Sequence, residues 1–313
     1  MLRGFATHWP LVRAAKKSPN ELVKYLSSYY NGNKVTLAAA PFNQDAAENK
    51  RFFYNHELTG FTFVNAQERL DLFLNRLIAL ATAPNSPALS MQSALTENIL
   101  PGLVEHNPTD YFTDVKPRLW MGNEGVVDTH YDGTDNVACV VAGRRRFILF
   151  SPEQTQNLYP GPLEFTPAGV PVSLVNLRKP DFVKFPRFKT ALQNGYTVDL
   201  GPGDALFIPM LWWHYVESLD KVNALMNYWW SGSFAKDATS PNFLDSLKIA
   251  ILAMRDMTPP QRRAWRCMFD HYLFKQGIDP TAYIPEHQHH LLGDISTDDV
   301  QVIKNYFVQK LQK

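Results

Sequence analysis

Cysteine is scarce: the 313-residue chain has only Cys139 and Cys267. Two thiols cannot supply a disulfide framework or a cysteine-rich zinc site, and we expect both to be free and buried in a reducing compartment. An excess of one charge is also missing. The 31 Lys and Arg nearly cancel the 30 Asp and Glu, leaving a net charge of +1. The chain as a whole therefore exerts no electrostatic pull on nucleic acid or an anionic membrane. The N-terminal MLRGFATHWPLVRAAKK lacks the apolar stretch of a secretory signal. The longest strongly apolar runs, such as LKIAILAM at 247–254, fall far short of the ~20 residues that span a bilayer. These absences read as a cytoplasmic protein with no membrane partner. The chain opens on Leu2-Arg3-Gly4 as if in the middle of a strand and turn, so a short piece upstream is expected.

Aromatic residues are plentiful, at 13% with 7 Trp and 20 Phe, which calls for a thick core or an aromatic-lined site. Three textures follow one another. Residues 1–100 mix helical and extended signals: SPNELVKYLSSYY at 18–30 opens on Ser18 as a helix cap with Glu21 three residues on, KVTLAAAPF at 34–42 reads as a strand, and QERLDLFLNRLIALATA at 67–83 has the apolar spacing of an amphipathic helix. Residues 101–232 are short Val-, Ile-, Phe- and Trp-rich runs broken by Gly and Pro turns, the pattern of a β-sandwich or barrel. Residues 233–313 turn helical, with starts expected at Thr258-Pro259 and at Ser296 or Thr297.

The chemistry concentrates in the middle region. In His130-Tyr131-Asp132, a strand puts residues i and i+2 on one face, so an imidazole and a carboxylate can reach one cation. Alone this spacing is common. His214 follows in the run PMLWWHYVES, after the turn GPGDALFIP. An HxD pair and a later histidine, in that order, make a two-histidine, one-carboxylate set that leaves coordination positions open and suits non-haem Fe(II). Zinc more often takes further nitrogen or sulfur ligands in a closed site.

The blocks WMGNEGVVDTHYDGTDNVACVVAGRRRFILFSP at 120–152, NLYPGPLE at 157–164, GPGDALFIPMLWWHYVES at 201–218 and NALMNYWWSG at 223–232 together resemble the JmjC/cupin-like hydroxylases. The likeness is greatest to the group containing the asparaginyl hydroxylase that inhibits hypoxia-inducible factor. It implies a mainly β fold with helical flanks: a double-stranded β-helix, or jelly roll, over 101–232, an N-terminal α/β flank packing on the barrel, and a C-terminal helical bundle. It further implies Fe(II) held by His130, Asp132 and His214, with 2-oxoglutarate as co-substrate and O2 as oxidant. Arg145 stands where the family has the lysine that meets the far carboxylate of the co-substrate. Asn136 and Asn227 match amide positions beside it. Two family features are replaced: the hydroxyl residue three before the first ligand is Val127, and the tyrosine on an earlier strand is Ser90.

The resemblance implies a hydroxylase of a protein or peptide side chain. A tRNA nucleoside, a small molecule, or ligand binding by a metal-bearing cupin without turnover are the alternatives, although the net charge does not point to nucleic acid. The long, Pro-rich loop 165–185 is expected near the site opening, and Trp229 and Trp230 can line its mouth or fill the core. Three apolar stripes in the C-terminal region (Phe243, Leu244, Leu247, Ile251; Trp265, Phe269, Tyr272, Leu273; Val300, Ile303, Phe307, Leu311) lead us to expect a homodimer formed by these helices.

Overall fold

The computed structural model describes residues 1–230 and 243–311. The chain divides into two compact units, Met1–Ser231 and Gly232–Lys313. The boundary expected at 232–233 lies outside the described residues, as do the side chains of Thr297 and Leu311.

The first unit opens with helices α1 (Pro10–Lys17) and α2 (Pro19–Ser27), then strands β1 (Lys34–Ala40), β2 (Arg51–Phe52) and β3 (Val64–Arg69), helix α3 (Leu70–Thr82), β4 (Ala88–Leu95), and the short helices α4 (Thr96–Ile99) and α5 (Leu103–His106). The rest is almost all strand: β5 (Arg118–Gly122), β6 (Gly125–Tyr131), β7 (Asp135–Ala142), β8 (Arg145–Phe150), then α6 (Phe188–Gln193), β9 (Tyr196–Leu200), β10 (Ala205–Ile208), β11 (Trp213–Ser218) and β12 (Asn223–Trp230). Local chemistry sets several of these ends. Pro19 occupies the first turn of α2 while the Ser18 hydroxyl accepts the Glu21 amide at 3.1 Å. The helix expected from residue 67 begins instead at Leu70. Gln67–Arg69 pair with Thr36–Lys34, because an antiparallel partner can satisfy their backbone groups before the helix starts.

Two sheets face each other. One runs β10-β7-β12-β5-β4-β1-β3 and the other β2-β6-β11-β8-β9. From β5 to β12 the chain passes from one sheet to the other at nearly every turn, which makes the double-stranded β-helix. Strands of the first 100 residues (β1, β3 and β4) extend the larger sheet. Alternation then sorts the side chains. Val137, Cys139 and Val141 of β7 join Leu37, Met91, Met121, Met226 and Tyr228 in a core roofed by α1, α2 and α3. Their neighbours Ala138 and Val140 meet Phe147, Leu149, Leu206, Ile208 and Leu225 between the sheets. β7 is covered on both faces, which explains its unbroken apolar run. Outside the smaller sheet, α6 and the segment before it close over Phe150 and Trp213 through Val175, Phe185 and Phe188.

The second unit contains α7 (Phe243–Met254), α8 (Pro259–Tyr272) and α9 (Thr297–Leu311). Thr258 and Gln261 form a reciprocal cap on α8, and the Ser296 hydroxyl accepts the Asp299 amide at the start of α9. Cys139 is buried as expected, but Cys267 is exposed on α8. That helix buries none of its residues, so nothing among the described residues covers the thiol. No helix among the described residues is long and apolar enough to cross a membrane.

Gly143 makes the turn from β7 to β8 at φ +68, and a Cβ there would meet Asn223 Oδ1 and lie 2.6 Å from the Val222 carbonyl. Combining the left-handed backbone penalty with overpacking, Gly143→Ala is expected to cost about 2–4 kcal/mol. Urea denaturation measures this.

Candidate metal centre

β6 and β11 are antiparallel neighbours, and His130 lies directly opposite His214. Two residues further along β11, Val216 opposes Val127. Three steps on β6 thus match two on β11, and the extra residue is a bulge at Asp128–Thr129. Its effect decides the site. Val127 packs inward on Ala38, Ala40, Phe52 and Ala88. Strict alternation from there would send His130 outward, and the bulge turns it back to face His214.

The ligating atoms of His130, Asp132 and His214 all lie within 4.8 Å of one another. His214 Nε2 is 3.6 Å from Asp132 Oδ2, and the two imidazole centres are 4.3 Å apart. Backbone carbonyls fix the rings: His130 Nδ1 donates to Asp128 O at 2.8 Å, and His214 Nδ1 to Trp212 O at 3.0 Å. Both Nε2 lone pairs are then free for a cation. The Leu211 amide donates to Asp132 O at 2.9 Å, tying the approach to β11 to the carboxylate ligand. Burial, reinforced by the nearby His130, pushes the His214 pKa down to about 4 against the opposing pull of Asp132. At neutral pH the ring is uncharged, as a ligand must be. Two imidazoles and one carboxylate fit Fe(II).

The other expected residues separate by face. Arg145 opposes Ser218 of β11 and points between the sheets with Phe147 and Leu149 of its own strand. It is 8% exposed, its Nε has no partner, and burial lowers its pKa to about 10. Its neighbours differ: Arg144 pairs with Asp220 and Arg146 with Asp199, each at 2.8 Å. Asn136 and Asn227 are buried, with Asn227 Nδ2 donating to Asn136 Oδ1 at 2.7 Å and Asn227 Oδ1 unpartnered. Ser90 alternates with Leu89 and Met91, which enter the helix-side core, so it faces the interior, opposite Gly122. Trp229 shares the parity of Asn227 and meets Trp120 edge-on at 6.0 Å; both indole nitrogens are buried without partners. Trp230 takes the other face, against Phe112 and Phe207, and so belongs to the core.

The loop after β8 reaches the first ligand. Val172 bridges His130, and Pro160 bridges Ser173. Beside this bridge Phe61 stacks on Phe165 at 4.8 Å, and Tyr54 donates its hydroxyl to the Phe165 carbonyl at 2.8 Å. These aromatics, and the buried charged pair of Arg51 and Asp128 behind the bulge, are site features that motif spacing did not disclose. The one signal in the sequence was a carboxylate inside the apolar run GVVDTHY.

A family model described as a cupin-like domain matches residues 1–236. The chain belongs to this cupin-like, JmjC-type family. Among the relatives of this cupin-like protein, human HSPB1-associated protein 1 is 38% identical over 136 residues, 39% of this chain and 27% of the relative. Lysine-specific demethylase JMJ31 of Arabidopsis thaliana is 34% identical over 143 residues, 44% and 25% respectively. Lysine-specific demethylase 8 of Danio rerio is 38% identical over 119 residues, 38% and 28%. The matches span about a quarter of each relative's length. JmjC-type proteins are typically 2-oxoglutarate-dependent oxygenases that use Fe(II).

The depressed His214 pKa sets a pH dependence. An unfolded histidine takes its proton near 6.5, while the folded one resists down to about 4. The unfolded chain therefore binds the proton first, and stability present above pH 6.5 is lost as pH falls through about 4. The melting temperature of the metal-free cupin-like protein should fall across this window, and less steeply in His214→Gln.

Proposed function

We propose that this chain is an Fe(II)- and 2-oxoglutarate-dependent oxygenase that hydroxylates a side chain of a protein or peptide. The observation that carries this reading is Arg145. A buried guanidinium with an unpartnered Nε is costly unless an anion joins it. Arg145 faces the same interior as the metal ligands, and its strand partner Ser218 lies four residues from His214, about 13 Å of strand. With the arginine side chain reaching back along that length, the gap suits a short dicarboxylate with one end at the metal and the other at the guanidinium. Asn227 Oδ1 and the Trp120 indole nitrogen are further polar atoms without partners on the same inner face.

His130, Asp132 and His214 would hold the cation, and Arg145 the far carboxylate, with the Asn136–Asn227 pair alongside. When bound, Fe(II) with 2-oxoglutarate and O2 supplies the oxidising chemistry that breaking a C–H bond requires. The protein's residues bind, orient and exclude water. The Nε2 atoms of His130 and His214 would face the cation, and the cluster of Phe147, Leu149 and Val216 would keep water from the space between it and Arg145. Phe61 and Phe165, backed by the buried Tyr54, give the His130 side an apolar rim on which a substrate side chain can settle. A protein side chain as substrate class draws support from the two relatives named lysine-specific demethylases.

The C-terminal helices are proposed to join two copies. Leu247 and Ile251 on α7, Trp265 and Tyr272 on α8, and Phe307 on α9 are each 44–52% exposed, and an isologous pairing would cover such faces.

Three outcomes are expected. Incubation with Fe(II), 2-oxoglutarate and candidate peptides yields a product one oxygen atom heavier by mass spectrometry; ligand binding without any turnover favours the non-catalytic cupin instead. Arg145→Ala raises the 2-oxoglutarate requirement at least tenfold, since a partly buried charge pair contributes about 2–5 kcal/mol; an unchanged requirement removes the assigned role. Light scattering gives twice the 35.7 kDa chain mass, and the single-chain mass at micromolar concentration overturns the dimer.

A further inference from the structure

The β6 bulge has an ion pair at its back. Asp128 points away from the metal ligands and is 2% exposed, and Arg51 of β2 is 3% exposed. The guanidinium grips the carboxylate with two bonds, Nε to Oδ2 and Nη2 to Oδ1, both 3.0 Å. Arg51 is itself fixed. Its Nη1 donates to Glu48 at 2.6 Å, its Cζ lies 4.2 Å from the centre of the Phe53 ring, and β2 pairs in parallel with β6, Arg51 opposite Val126. Asn176 Nδ2 donates to the same Glu48 carboxylate at 2.8 Å. The backbone carbonyl of Asp128 is the acceptor that orients His130. One residue thus has its side chain clamped on one face of the sheet while its main chain aims a ligand on the other.

We infer that Arg51 and Asp128 are positioning residues: their pair pins the bulge and so holds the His130 imidazole at the angle a cation needs. This rests on the metal-binding reading of the triad and deepens it. The geometry favours positioning over simple glue, because the pair lies at the one irregular step of the β6–β11 ladder. The extra residue of a bulge has no ladder partner, so contacts from outside the ladder are what fix its local geometry. Regular pairing here would turn His130 away from His214. The pair Lys50–Glu124, 2.7 Å apart and half-buried at Glu124, lies just before the other end of β6, touches no metal ligand and provides a control.

The test separates anchoring from positioning. The double variant Arg51→Met, Asp128→Leu replaces a buried ion pair by apolar groups, an exchange that proteins often tolerate without loss of stability. Cobalt(II), followed by its visible absorption bands, is titrated into full-length wild type, the double variant, Asp128→Asn and Glu124→Gln, and melting temperatures are recorded without metal. Positioning predicts that the double variant melts close to wild type yet binds cobalt at least tenfold more weakly with altered bands. Asp128→Asn should weaken cobalt binding likewise, while Glu124→Gln keeps wild-type affinity whatever its melting temperature. Wild-type affinity in a folded double variant overturns the inference and leaves the metal reading intact. Should the double variant not fold, Asp128→Asn decides alone: wild-type affinity in it overturns the inference. A wild type that binds no cobalt sinks both the metal reading and the inference.

Discussion

The site depends on one local violation of strand alternation. A regular β6 places Val127 and His130 on opposite faces. The strand needs Val127 inside to fill the end of the barrel, and the site needs His130 inside to face His214. One extra residue satisfies both, and it has to be stabilised because it interrupts the ladder. Its backbone and side-chain contacts come from three distant segments: β2 through Arg51, the loop before α6 through the Ser173 amide on the Thr129 carbonyl, and β11 through the restored register. The sheets around it are ordinary, and their work is to bring these segments together.

Much of this could be read in advance where the chemistry is local. His130 and Asp132 share a face through simple spacing, and the block around His214 carries its own turn and strand. The alternating texture of 101–232 marked the β-rich core. Information carried by distant partners was illegible. Within Gly143-Arg144-Arg145-Arg146 only the family resemblance singles out Arg145; the residue types themselves do not say which arginine is buried. Only the acids Asp220 and Asp199, far along the chain, make the outer two surface pairs and leave the middle one alone inside. The start of α3 moved because β1 claimed Gln67–Arg69 as a strand partner, an event no periodicity in 67–83 reports. Trp230 and Trp229 look alike in sequence, and only their parity on β12 separates the helix-side core from the interior between the sheets. The Arg51–Asp128 pair joins residues 77 positions apart.

The N-terminal hundred residues matter to the site without contributing a metal ligand. They lengthen the larger sheet and roof its outer face with helices, so that β7 and β12, which carry Asn136 and Asn227, are buried on both sides. A strand so enclosed has little freedom to shift register. The amide pair between the sheets is therefore held by packing from behind, as the histidine is held by charge from behind.

Arg145 has a consequence beyond binding. A lone charge inside a barrel lowers the stability of the empty protein, and an anion that reaches it gives that stability back and adds its own. A ligand at a hundred times its dissociation constant adds about 2.7 kcal/mol to the folded state, a large share of the stability of an ordinary domain. The fraction of chains open to proteolysis would then fall as the concentration of the small dicarboxylate rises. On the proposed assignment of Arg145, the lifetime of this protein in a cell would track the supply of the dicarboxylate that pairs with it.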